Sequence, residues 1–361
     1  MKIEAAIFRE LHQPLTIETI DIDAPRGREV LVRTAATGVC HSDLHVVDGL
    51  SRYNLDRPFV LGHEGAGVVE AVGDDVTHVR KGDHVVACLS GFCGNCPQCL
   101  SGHPNVCTGG VVGRADRVSQ NGQPFQQFAN IGSYASHMLL HENSLVRIDE
   151  DLPLDRAALV GCGVLTGVGA ALRSSGLQAG QTVAVFGCGG VGLSIVQGAR
   201  IGGARRIIAV DQFDSKLEMA KAVGATHTVN AKQDDPVKAI RALTQSLGVD
   251  HAFEAVGLSS LCRQAIESLA VRGTATIVGV LPADATIEFP WLAIRPECRV
   301  QTSRMGSNQF RVDIPNYLEF YKQGRLDLDS MISRRGRLGD INEAFRAMKA
   351  GEVARTVLMF E

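Results

Sequence analysis

The second half of the chain alternates short apolar runs with longer amphipathic stretches, and this alternation limits the available folds more than any other feature. From about residue 180, six runs rich in β-branched residues are separated by stretches of helical periodicity such as SKLEMAKAVG. The six runs are TVAVF, RIIAVD, THTVNA, DHAFEAVG, GTATIVGVLP and CRVQTSR. Strands that alternate with helices in this way form parallel sheets covered by helices on both faces. The pattern predicts a doubly wound, six-stranded parallel sheet.

The first 150 residues follow a different pattern, which predicts a second domain. Short β-branched segments are bounded there by Gly, Asp or Pro, namely KIEAAIF, LTIETIDI, REVLVRTAATGV, GAGVVEAVG, GDHVVAC and SYASHMLL. Closely spaced strands of this kind predict a partly closed antiparallel β-barrel. The C-terminal tail offers two amphipathic helices and a last strand, which we expect to return to the first domain. The prediction is an α/β protein with domains at 1–163 and 164–300 and a returning segment at 301–361.

Composition excludes several classes of partner. The chain has 361 residues, a formal net charge of −3 and no long basic run, so we expect no nucleic-acid or membrane partner. The N-terminal segment MKIEAAIFRELHQP carries charges throughout and lacks the apolar region of a signal peptide. The ten cysteines are then expected in a reducing compartment, the cytoplasm, where clustered thiols bind metal more often than they form disulfides.

A glycine-rich turn directly after the first of the six apolar runs indicates a dinucleotide site. Gly187, Gly189 and Gly192 spell G-x-G-x-x-G, with Gly190 inside the turn. Such glycines permit a tight turn, a close approach of backbone to a pyrophosphate, and packing of the next helix on the strand. Asp211 ends the following strand, where a carboxylate accepts hydrogen bonds from ribose hydroxyls and repels the 2′-phosphate of NADP. The pattern predicts NAD as the cofactor.

Four cysteines are concentrated in one short polar segment, CGNCPQCLSGHPNVC. They are Cys93, Cys96, Cys99 and Cys107. Four thiolates at this spacing close tetrahedrally around Zn²⁺ and leave no position for a substrate. The segment, called the cysteine lobe below, therefore predicts a structural zinc site.

A second set of metal-binding residue types lies outside the cysteine lobe. Cys40 occurs in GVCHSDLH, His63 and Glu64 in GHEGAG, and Cys162 in GCGVLTG. Two sulfurs and one imidazole would leave the fourth position of a zinc ion free for water or substrate. Taken singly, each residue is equally consistent with packing in a core. The case for a second metal site therefore depends on their local sequences.

Those local sequences, in their order along both domains, resemble the zinc-dependent medium-chain alcohol dehydrogenases. The motifs that carry the resemblance are GVCHSDLHVVDG, LGHEGAGVV, the cysteine lobe, GCGVLTG, GCGGVG with Asp211, and GEVARTVLMF. The resemblance implies a GroES-like catalytic domain, a Rossmann NAD-binding domain, and two zinc ions per chain, one catalytic and one structural.

The resemblance also implies roles for individual residues around the catalytic zinc. Cys40, His63 and Cys162 would hold the ion. Glu64 would lie close behind as a neighbour or transient ligand. Asp43 would hydrogen-bond the second nitrogen of His63 and so fix its orientation.

Proton transfer and cofactor binding are assigned in the same way. Ser42 and His45 would relay the proton of a zinc-bound alcohol through the cofactor ribose to solvent. The implied cofactor contacts are Thr166, Val191 and Val280 at the nicotinamide, Lys216 at the adenosine ribose, and His41 and Arg355 at the pyrophosphate.

The implied reaction interconverts a primary or secondary alcohol and its aldehyde or ketone. Zinc lowers the pKa of a bound hydroxyl group, and the resulting alkoxide transfers hydride to NAD. A small Ser51 and a single nearby aromatic side chain, Phe92, favour a roomy pocket for bulky or aromatic alcohols. Leu89, Gly110 and Val111 are further candidates for its lining.

Two alternatives remain open from the sequence. The relatives that oxidise an S-hydroxymethyl thiol adduct of formaldehyde carry an acid where this chain has Ser51 and an arginine where it has Val111, although Arg114 and Arg117 are near. The other alternative is a non-catalytic zinc protein that senses dinucleotide.

The chain also departs from the family at one cofactor position, since position 41 is His where the family commonly has arginine.

The family resemblance further implies an oligomer. We expect a two-fold homodimer joined by edge strands near residues 298–304, with a tetramer as the alternative.

Overall fold

The computed structural model describes residues 1–50, 53, 55–110 and 117–361. Ser51, Val111 and Arg114 lie outside the described residues. Two compact units are present: the first comprises Met1–Cys162, Gln309–Lys322 and Met331–Glu361, and the second comprises Gly163–Asn308 and Gln323–Ser330. This division differs from the predicted domain bounds chiefly at residues 301–308 and 323–330, which belong to the second unit.

The strands of the described residues are β1 (Lys2–Phe8), β2 (Thr16–Ile22), β3 (Glu29–Gly38), β4 (Phe59–Val60), β5 (Glu64–Val72), β6 (His84–Ala87), β7 (Val118–Gln120), β8 (Gln123–Pro124), β9 (Gln126–Gln127), β10 (His137–His141), β11 (Leu145–Ile148), β12 (Thr182–Phe186), β13 (Arg206–Asp211), β14 (His227–Asn230), β15 (Val249–Glu254), β16 (Leu269–Ile277), β17 (Arg299–Thr302), β18 (Ile332–Gly336) and β19 (Arg355–Met359).

The α-helices are α1 (His41–Val47), α2 (Pro97–Leu100), α3 (Leu154–Leu159), α4 (Leu165–Gly169), α5 (Gly190–Ile201), α6 (Asp214–Val223), α7 (Pro236–Leu243), α8 (Ser259–Glu267), α9 (Phe310–Lys322) and α10 (Ile341–Lys349). Two π-helical turns, Val160–Val164 and Ala170–Ser174, join and extend α3 and α4 into one helical stretch.

The first unit is built on two largely antiparallel sheets. One has the order β8-β7-β2-β1-β4-β9, and the other has the order β11-β6-β5-β3-β19-β18 with β10 also paired to β3. All six predicted β segments of this region are strands, which confirms the antiparallel part of the predicted fold class. The last strand, β19, pairs with β3 so that Leu358 lies opposite Thr37. The C-terminal strand thus belongs to the same sheet as β5, which begins at Glu64 directly after His63.

The second unit contains a six-stranded parallel sheet of order β14-β13-β12-β15-β16-β17. Every residue of β12 is buried, as expected for a strand covered by helices on both faces. The predicted six-stranded parallel sheet is confirmed. The strand order reverses between β12 and β15, and ligands of open α/β sheets bind at such a reversal, beyond the carboxyl ends of the strands. The glycine turn at 187–192 follows β12 and therefore lies at this point.

Among the described residues, one helical stretch, Leu154–Ser174, is long and apolar enough to cross a bilayer by composition. In its most apolar window, 83% of the stretch is buried inside the protein. That burial is typical of a core helix.

Candidate functional site

The cysteine lobe brings its four thiols together. The ligand atoms of Cys93, Cys96, Cys99 and Cys107 all lie within 4.8 Å of one another. The sulfur of Cys107 lies 3.6 Å from that of Cys93 and 3.8 Å from that of Cys96. Backbone N–H groups also point at these sulfurs, since the amide of Cys96 donates to Cys93 Sγ and the amide of Cys93 donates to Cys107 Sγ. Amides aimed at sulfur favour thiolates, which are the form that binds zinc.

Titration of the lobe agrees with this arrangement. The backbone N–H of Cys99, with smaller contributions from neighbouring amides, lowers the pKa of Cys96 to about 5. Hydrogen bonds also lower the pKa of Cys107, although burial opposes them. Burial, with the neighbouring sulfurs, raises the pKa of Cys99 to about 12, and a bound zinc ion would deprotonate that thiol. The four sulfurs fit a closed tetrahedral zinc site.

A second cluster gathers Cys40, His63, Glu64 and Cys162, all buried, with one ligand atom from each within 4.8 Å of the others. Cys40 immediately precedes α1, and Glu64 is the first residue of β5. These residues span more than a hundred positions in the sequence and are united only by the fold. We call this set the buried metal-ligand cluster.

Cys162 reaches the cluster from an irregular turn of helix. It lies in the π-helical turn Val160–Val164, and such turns are frequent at functional sites because the extra residue redirects a side chain. Its neighbour Gly161 packs directly on β6: a Cβ there would lie 2.5 Å from the carbonyl oxygen of Ala87. The glycine allows the helix to approach the strand closely enough for Cys162 to face Cys40.

His63 is held by a fully buried carboxylate. Its Nδ1 lies 3.1 Å from Asp43 Oδ2. The same carboxylate accepts the N–H of Gly62 on Oδ1 at 2.8 Å and the hydroxyl of Tyr134 on Oδ2 at 3.0 Å. Phe128 packs edge-to-face on the imidazole, with ring centroids 5.3 Å apart. Since Nδ1 faces Asp43, Nε2 is the nitrogen left for a metal.

The ionisable groups of the buried metal-ligand cluster shift one another's pKa. A hydrogen bond from the Cys162 thiol, aided by His63, holds the pKa of Cys40 well below its usual range against the effect of burial, whereas the pKa of Cys162 is raised by its hydrogen bond with Cys40 and by burial. Burial raises the pKa of Glu64 to about 7, and the Arg355 guanidinium partly opposes that rise. Arg355 Nη2 lies 3.1 Å from Glu64 Oε1, and both side chains are buried. A divalent cation would deprotonate the second thiol and neutralise the two thiolates.

The donor set fits zinc. Ligand atoms around a tetrahedral Zn²⁺ with sulfur and nitrogen ligands lie about 3.3–3.8 Å apart, so small side-chain adjustments would suffice. Nε2 of His63 is buried and forms no hydrogen bond of ordinary geometry with the described residues, which suits a metal ligand. Glu64 is already paired with Arg355, so the two sulfurs and the imidazole are the better candidates for permanent ligands.

The candidate relay residues lie on α1, one turn apart. Ser42 and His45 are three positions apart on this helix and therefore lie on the same side of it. The Ser42 hydroxyl oxygen lies 3.8 Å from the Cys40 sulfur. His41, the first residue of α1, is exposed, and its ring centroid is 6.5 Å from that of His45.

The glycine turn has the geometry that its spacing predicts. Gly187 has φ +93°, a left-handed conformation that favours glycine. A Cβ on Gly192 would overlap the carbonyl oxygen of Gly187, whereas a Cβ on Gly189 would meet nothing within 4 Å. Gly190 begins α5, so the free N–H groups of that helix follow the turn directly.

Asp211 is fixed at the end of β13 by the backbone around it. Its Oδ2 accepts the N–H of Cys188 at 2.8 Å, and its Oδ1 accepts those of Gln212 and Phe213. Lys216 Nζ lies 5.2 Å from the centroid of the Phe213 ring. The Asp211 carboxylate therefore contacts the glycine turn through Cys188, and Lys216 follows it on α6.

The candidate nicotinamide contacts belong to segments packed around the same turn. Thr166 is buried, and its hydroxyl donates to the Met305 sulfur at 3.4 Å. A Cβ at Gly167 would overlap the carbonyl oxygen of Val191, so α4 and the start of α5 are in close contact. Val280 has a large apolar side chain that is 64% exposed, so a ligand or solvent can contact it.

Two arginines that the sequence suggested as ligand contacts are already engaged within the protein. Arg355, implied as a pyrophosphate contact, is buried, pairs with Glu64 and donates to the carbonyl of Val39 at 3.3 Å. Arg117, considered for anion binding, is buried and bound to Asp23 and Glu29 at 2.9 Å each.

The aromatic pocket candidate Phe92 is also engaged in packing. Its ring contacts those of Phe310 and the guanidinium of Arg311. Leu89 packs at the edge of a core cluster of the first unit. Conversely, Phe128 and Tyr134 were not anticipated from sequence, because neither belongs to a motif with chemical meaning.

Comparison with protein families agrees with the two units. A model described as "Alcohol dehydrogenase GroES-like domain" matches residues 26–150, and one described as "Zinc-binding dehydrogenase" matches residues 190–323. Together these matches cover more than half of the chain.

Individual relatives match over nearly the full length. S-(hydroxymethyl)glutathione dehydrogenase of Saccharomyces cerevisiae is 36% identical, covering 99% of this chain and 96% of that protein. A zinc-binding alcohol dehydrogenase domain protein from Burkholderia ambifaria has a TM-score of 0.94 and 37% identity, covering 100% of this chain and 99% of that one. Benzyl alcohol dehydrogenase from Acinetobacter calcoaceticus has a TM-score of 0.92 and 32% identity, with 100% of both chains covered. The chain therefore belongs to the zinc-dependent medium-chain alcohol dehydrogenases, a family of NAD-using oxidoreductases.

Proposed function

We propose that this enzyme interconverts bulky or aromatic primary or secondary alcohols and their aldehydes or ketones, with NAD as the hydride acceptor. The observation that carries the proposal is the buried metal-ligand cluster, in which Cys40, His63 and Cys162 offer three permanent ligands and leave a zinc position for substrate. The similarity to benzyl alcohol dehydrogenase, at 32% identity over the full chain, supports an aromatic substrate.

In the proposed mechanism, Cys40, His63 and Cys162 hold zinc, which when bound acts as a Lewis acid that lowers the pKa of the substrate hydroxyl. Asp43 orients the imidazole. The Ser42 hydroxyl would accept the substrate proton as it releases its own, and His45, one helical turn further, would take up the relayed proton and pass it to solvent.

The cofactor is assigned to the second unit. Gly187, Gly189, Gly190 and Gly192 would receive the pyrophosphate, and Asp211 and Lys216 the adenosine ribose. Thr166, Val191 and Val280 would contact the nicotinamide, with His41 toward the pyrophosphate. Arg355, buried and paired with Glu64, is not assigned there. The carboxylate of Asp211 favours NAD over NADP because a 2′-phosphate would be repelled.

A second candidate function is oxidation of an S-hydroxymethyl thiol adduct. It is favoured by the 36% identity to S-(hydroxymethyl)glutathione dehydrogenase of yeast. Binding the acidic groups of such a thiol requires a free cation near the substrate. Arg117 is a poor candidate, because it is buried and already neutralised by Asp23 and Glu29. Arg114, the other candidate from the sequence, lies outside the described residues, and we place this function second.

A substrate panel tests the proposal. Purified enzyme with NAD is assayed for NADH formation with benzyl alcohol, ethanol and a secondary alcohol, and with formaldehyde in the presence and absence of glutathione. The proposal predicts a higher kcat/KM for benzyl alcohol than for the glutathione adduct. A reversed preference would establish the second candidate, and no NADH from any substrate would favour a dinucleotide sensor.

We also propose a cytoplasmic homodimer. Ten free cysteines are consistent with a reducing compartment. The second unit ends its sheet in the edge strand β17, in which Val300 is 48% exposed, and Trp291 at 81% and Leu292 at 88% precede this strand in the chain. Open edges and exposed apolar groups of this kind mark association surfaces.

A further inference from the structure

The hydroxyl of Tyr134 donates a hydrogen bond to Asp43, the carboxylate that lies behind His63. Its ring is fully buried in a core cluster with Phe59, Phe128 and Phe345. Its hydroxyl donates to Asp43 Oδ2 at 3.0 Å, the same oxygen that lies 3.1 Å from His63 Nδ1. A polar group in so apolar a setting needs a partner. Here that partner is the residue that orients the imidazole.

The backbone on both sides of Tyr134 fixes the direction of its ring. The amide of Tyr134 donates to the carbonyl of Leu61 at 2.9 Å, and its carbonyl accepts the amide of Ala6 at 2.8 Å. Gly62, directly before His63, has φ +90°, and a Cβ there would lie 2.6 Å from the Tyr134 nitrogen. The segment that carries Tyr134 is thus attached to the two residues preceding His63.

The Asp43 carboxylate consequently has its orientation set by two hydrogen-bond donors, beside which His63 lies. Gly62 donates to Oδ1 and Tyr134 donates to Oδ2, and His63 Nδ1 lies 3.1 Å from the same Oδ2. Without the hydroxyl, Oδ2 would keep only the imidazole as a partner, and a fully buried carboxylate would lose part of its stabilisation. If Asp43 is held by fewer hydrogen bonds, it restrains the orientation of the His63 imidazole less firmly.

We propose that Tyr134 is a positioning residue for the catalytic zinc, acting through Asp43 on His63. This inference rests on the proposed role of His63 as a zinc ligand. Removing a group that supports a histidine ligand typically weakens metal binding by about 10–100-fold. Because Tyr134 acts through one further residue, the expected effect is about tenfold, at the lower end of that range.

The experiment compares zinc release from the wild type and from Tyr134→Phe under excess EDTA, with a colorimetric zinc indicator. The cysteine lobe is an internal reference, because its four ligands do not involve His63. We expect the catalytic zinc to leave about tenfold faster and the lobe zinc to leave at the wild-type rate. Tyr317→Phe removes a hydroxyl from another buried tyrosine and should leave both rates unchanged.

A double-mutant cycle distinguishes positioning from general support of the fold. In an Asp43→Asn background, Tyr134→Phe should change the release rate by much less than tenfold, since the residue through which it acts is altered. Full additivity would overturn the inference. Equal acceleration of both zinc ions, or a wild-type rate in Tyr134→Phe, would also overturn it.

His63→Ala separates this inference from the proposed function. If that variant loses one zinc while Tyr134→Phe behaves as wild type, only the inference is wrong. If His63→Ala retains two zinc ions, the zinc assignment of the proposed function is wrong and the inference falls with it.

Discussion

At the scale of single residues, Glu64 and Arg355 show why a carboxylate beside a metal site need not be a ligand. Burial raises the pKa of Glu64 to about 7, and Arg355 lies 3.1 Å away as its ion-pair partner. A carboxylate held in this way must give up its partner to reach a metal. Cys162 offers a sulfur within 4.8 Å of the ligand atoms of Cys40 and His63, and sulfur is a preferred zinc ligand, so it is the better permanent ligand.

We predict that Cys162→Ser and Glu64→Gln differ in metal content. Cys162→Ser should keep the lobe zinc alone and lose activity by roughly 10³-fold, because Lewis-acid stabilisation of several kcal/mol disappears. Glu64→Gln should keep both zinc ions. Elemental analysis of purified protein measures the metal content, and two zinc ions in Cys162→Ser would contradict the ligand assignment.

Position 41 offers a second prediction, about the cofactor. His41 is exposed at the start of α1, and arginine there would present a permanent charge and several donors to a pyrophosphate. A gain of about 1 kcal/mol corresponds to roughly fivefold slower NAD dissociation from His41→Arg. Stopped-flow displacement of bound NAD by excess NADH, followed by NADH fluorescence, measures the rate. His103→Arg, which adds the same charge in the cysteine lobe, is the control, and an unchanged or faster rate for His41→Arg would count against the contact.

Residue-level prediction from sequence succeeded where a short motif carried the chemistry. Cys40, His63 and Cys162 meet in space although only their local sequences linked them. The contact of Tyr134 with Asp43 could not be foreseen, because it depends on the pairing of two distant segments and leaves no local pattern. The burial of Arg117 escaped prediction for the same reason: its partners, Asp23 and Glu29, are about ninety positions away.

At the scale of elements, the segment 182–201 comprises a strand, a glycine turn and a helix. Two of its glycines, Gly192 and Gly189, lack a side chain for different reasons. Gly192 is required by packing, since a Cβ would overlap the carbonyl oxygen of Gly187. Gly189 has φ −77° and open space around its Cα. Its lack of a side chain therefore has no explanation within the protein and is consistent with space kept for a ligand.

This contrast predicts opposite outcomes for two alanine variants. Gly192→Ala should lower the free energy of unfolding by about 1–3 kcal/mol, the usual penalty of overpacking. Gly189→Ala should fold with wild-type stability but bind NAD on the order of tenfold more weakly, because the same penalty of about 1–3 kcal/mol would arise against the pyrophosphate. Chemical denaturation and NAD titration measure the two effects. Wild-type NAD affinity in Gly189→Ala would place the pyrophosphate elsewhere.

Elements with a clear period were predictable, and irregular ones were not. The strands β12, β13 and β15 follow from apolar runs that are largely buried, whereas β14 and β17 were predicted from their β-branched residues although they are more exposed. The strand β18 was missed because its sequence, ISRRG, is half-exposed and rich in charge. The π-helical turn that carries Cys162 was also missed, since an extra residue in a helical turn leaves no periodic signature in so short a segment.

At the scale of the whole molecule, the second unit presents an unpaired sheet edge. The strand β17 is hydrogen-bonded only to β16 among the described strands. Natural proteins protect such edges with charge, bulges or a partner. Here Val300 is 48% exposed within the strand, and Trp291 and Leu292 are more than 80% exposed nearby. A two-fold partner would pair the edge with its own copy and cover these side chains.

We therefore predict that the enzyme is a dimer in solution and that Val300→Lys weakens it. A lysine at the centre of a two-fold strand pair would face its own copy, and like charges brought together cost several kcal/mol, so the dissociation constant should rise by at least about tenfold. Light scattering across a dilution series measures the oligomeric state. Val312→Lys places the same charge at an exposed valine on α9 of the first unit and should leave the dimer intact. A monomeric wild type, or equal effects of the two lysine substitutions, would exclude the β17 interface. A wild-type tetramer that dissociates to dimers would show a second interface and would not contradict this one.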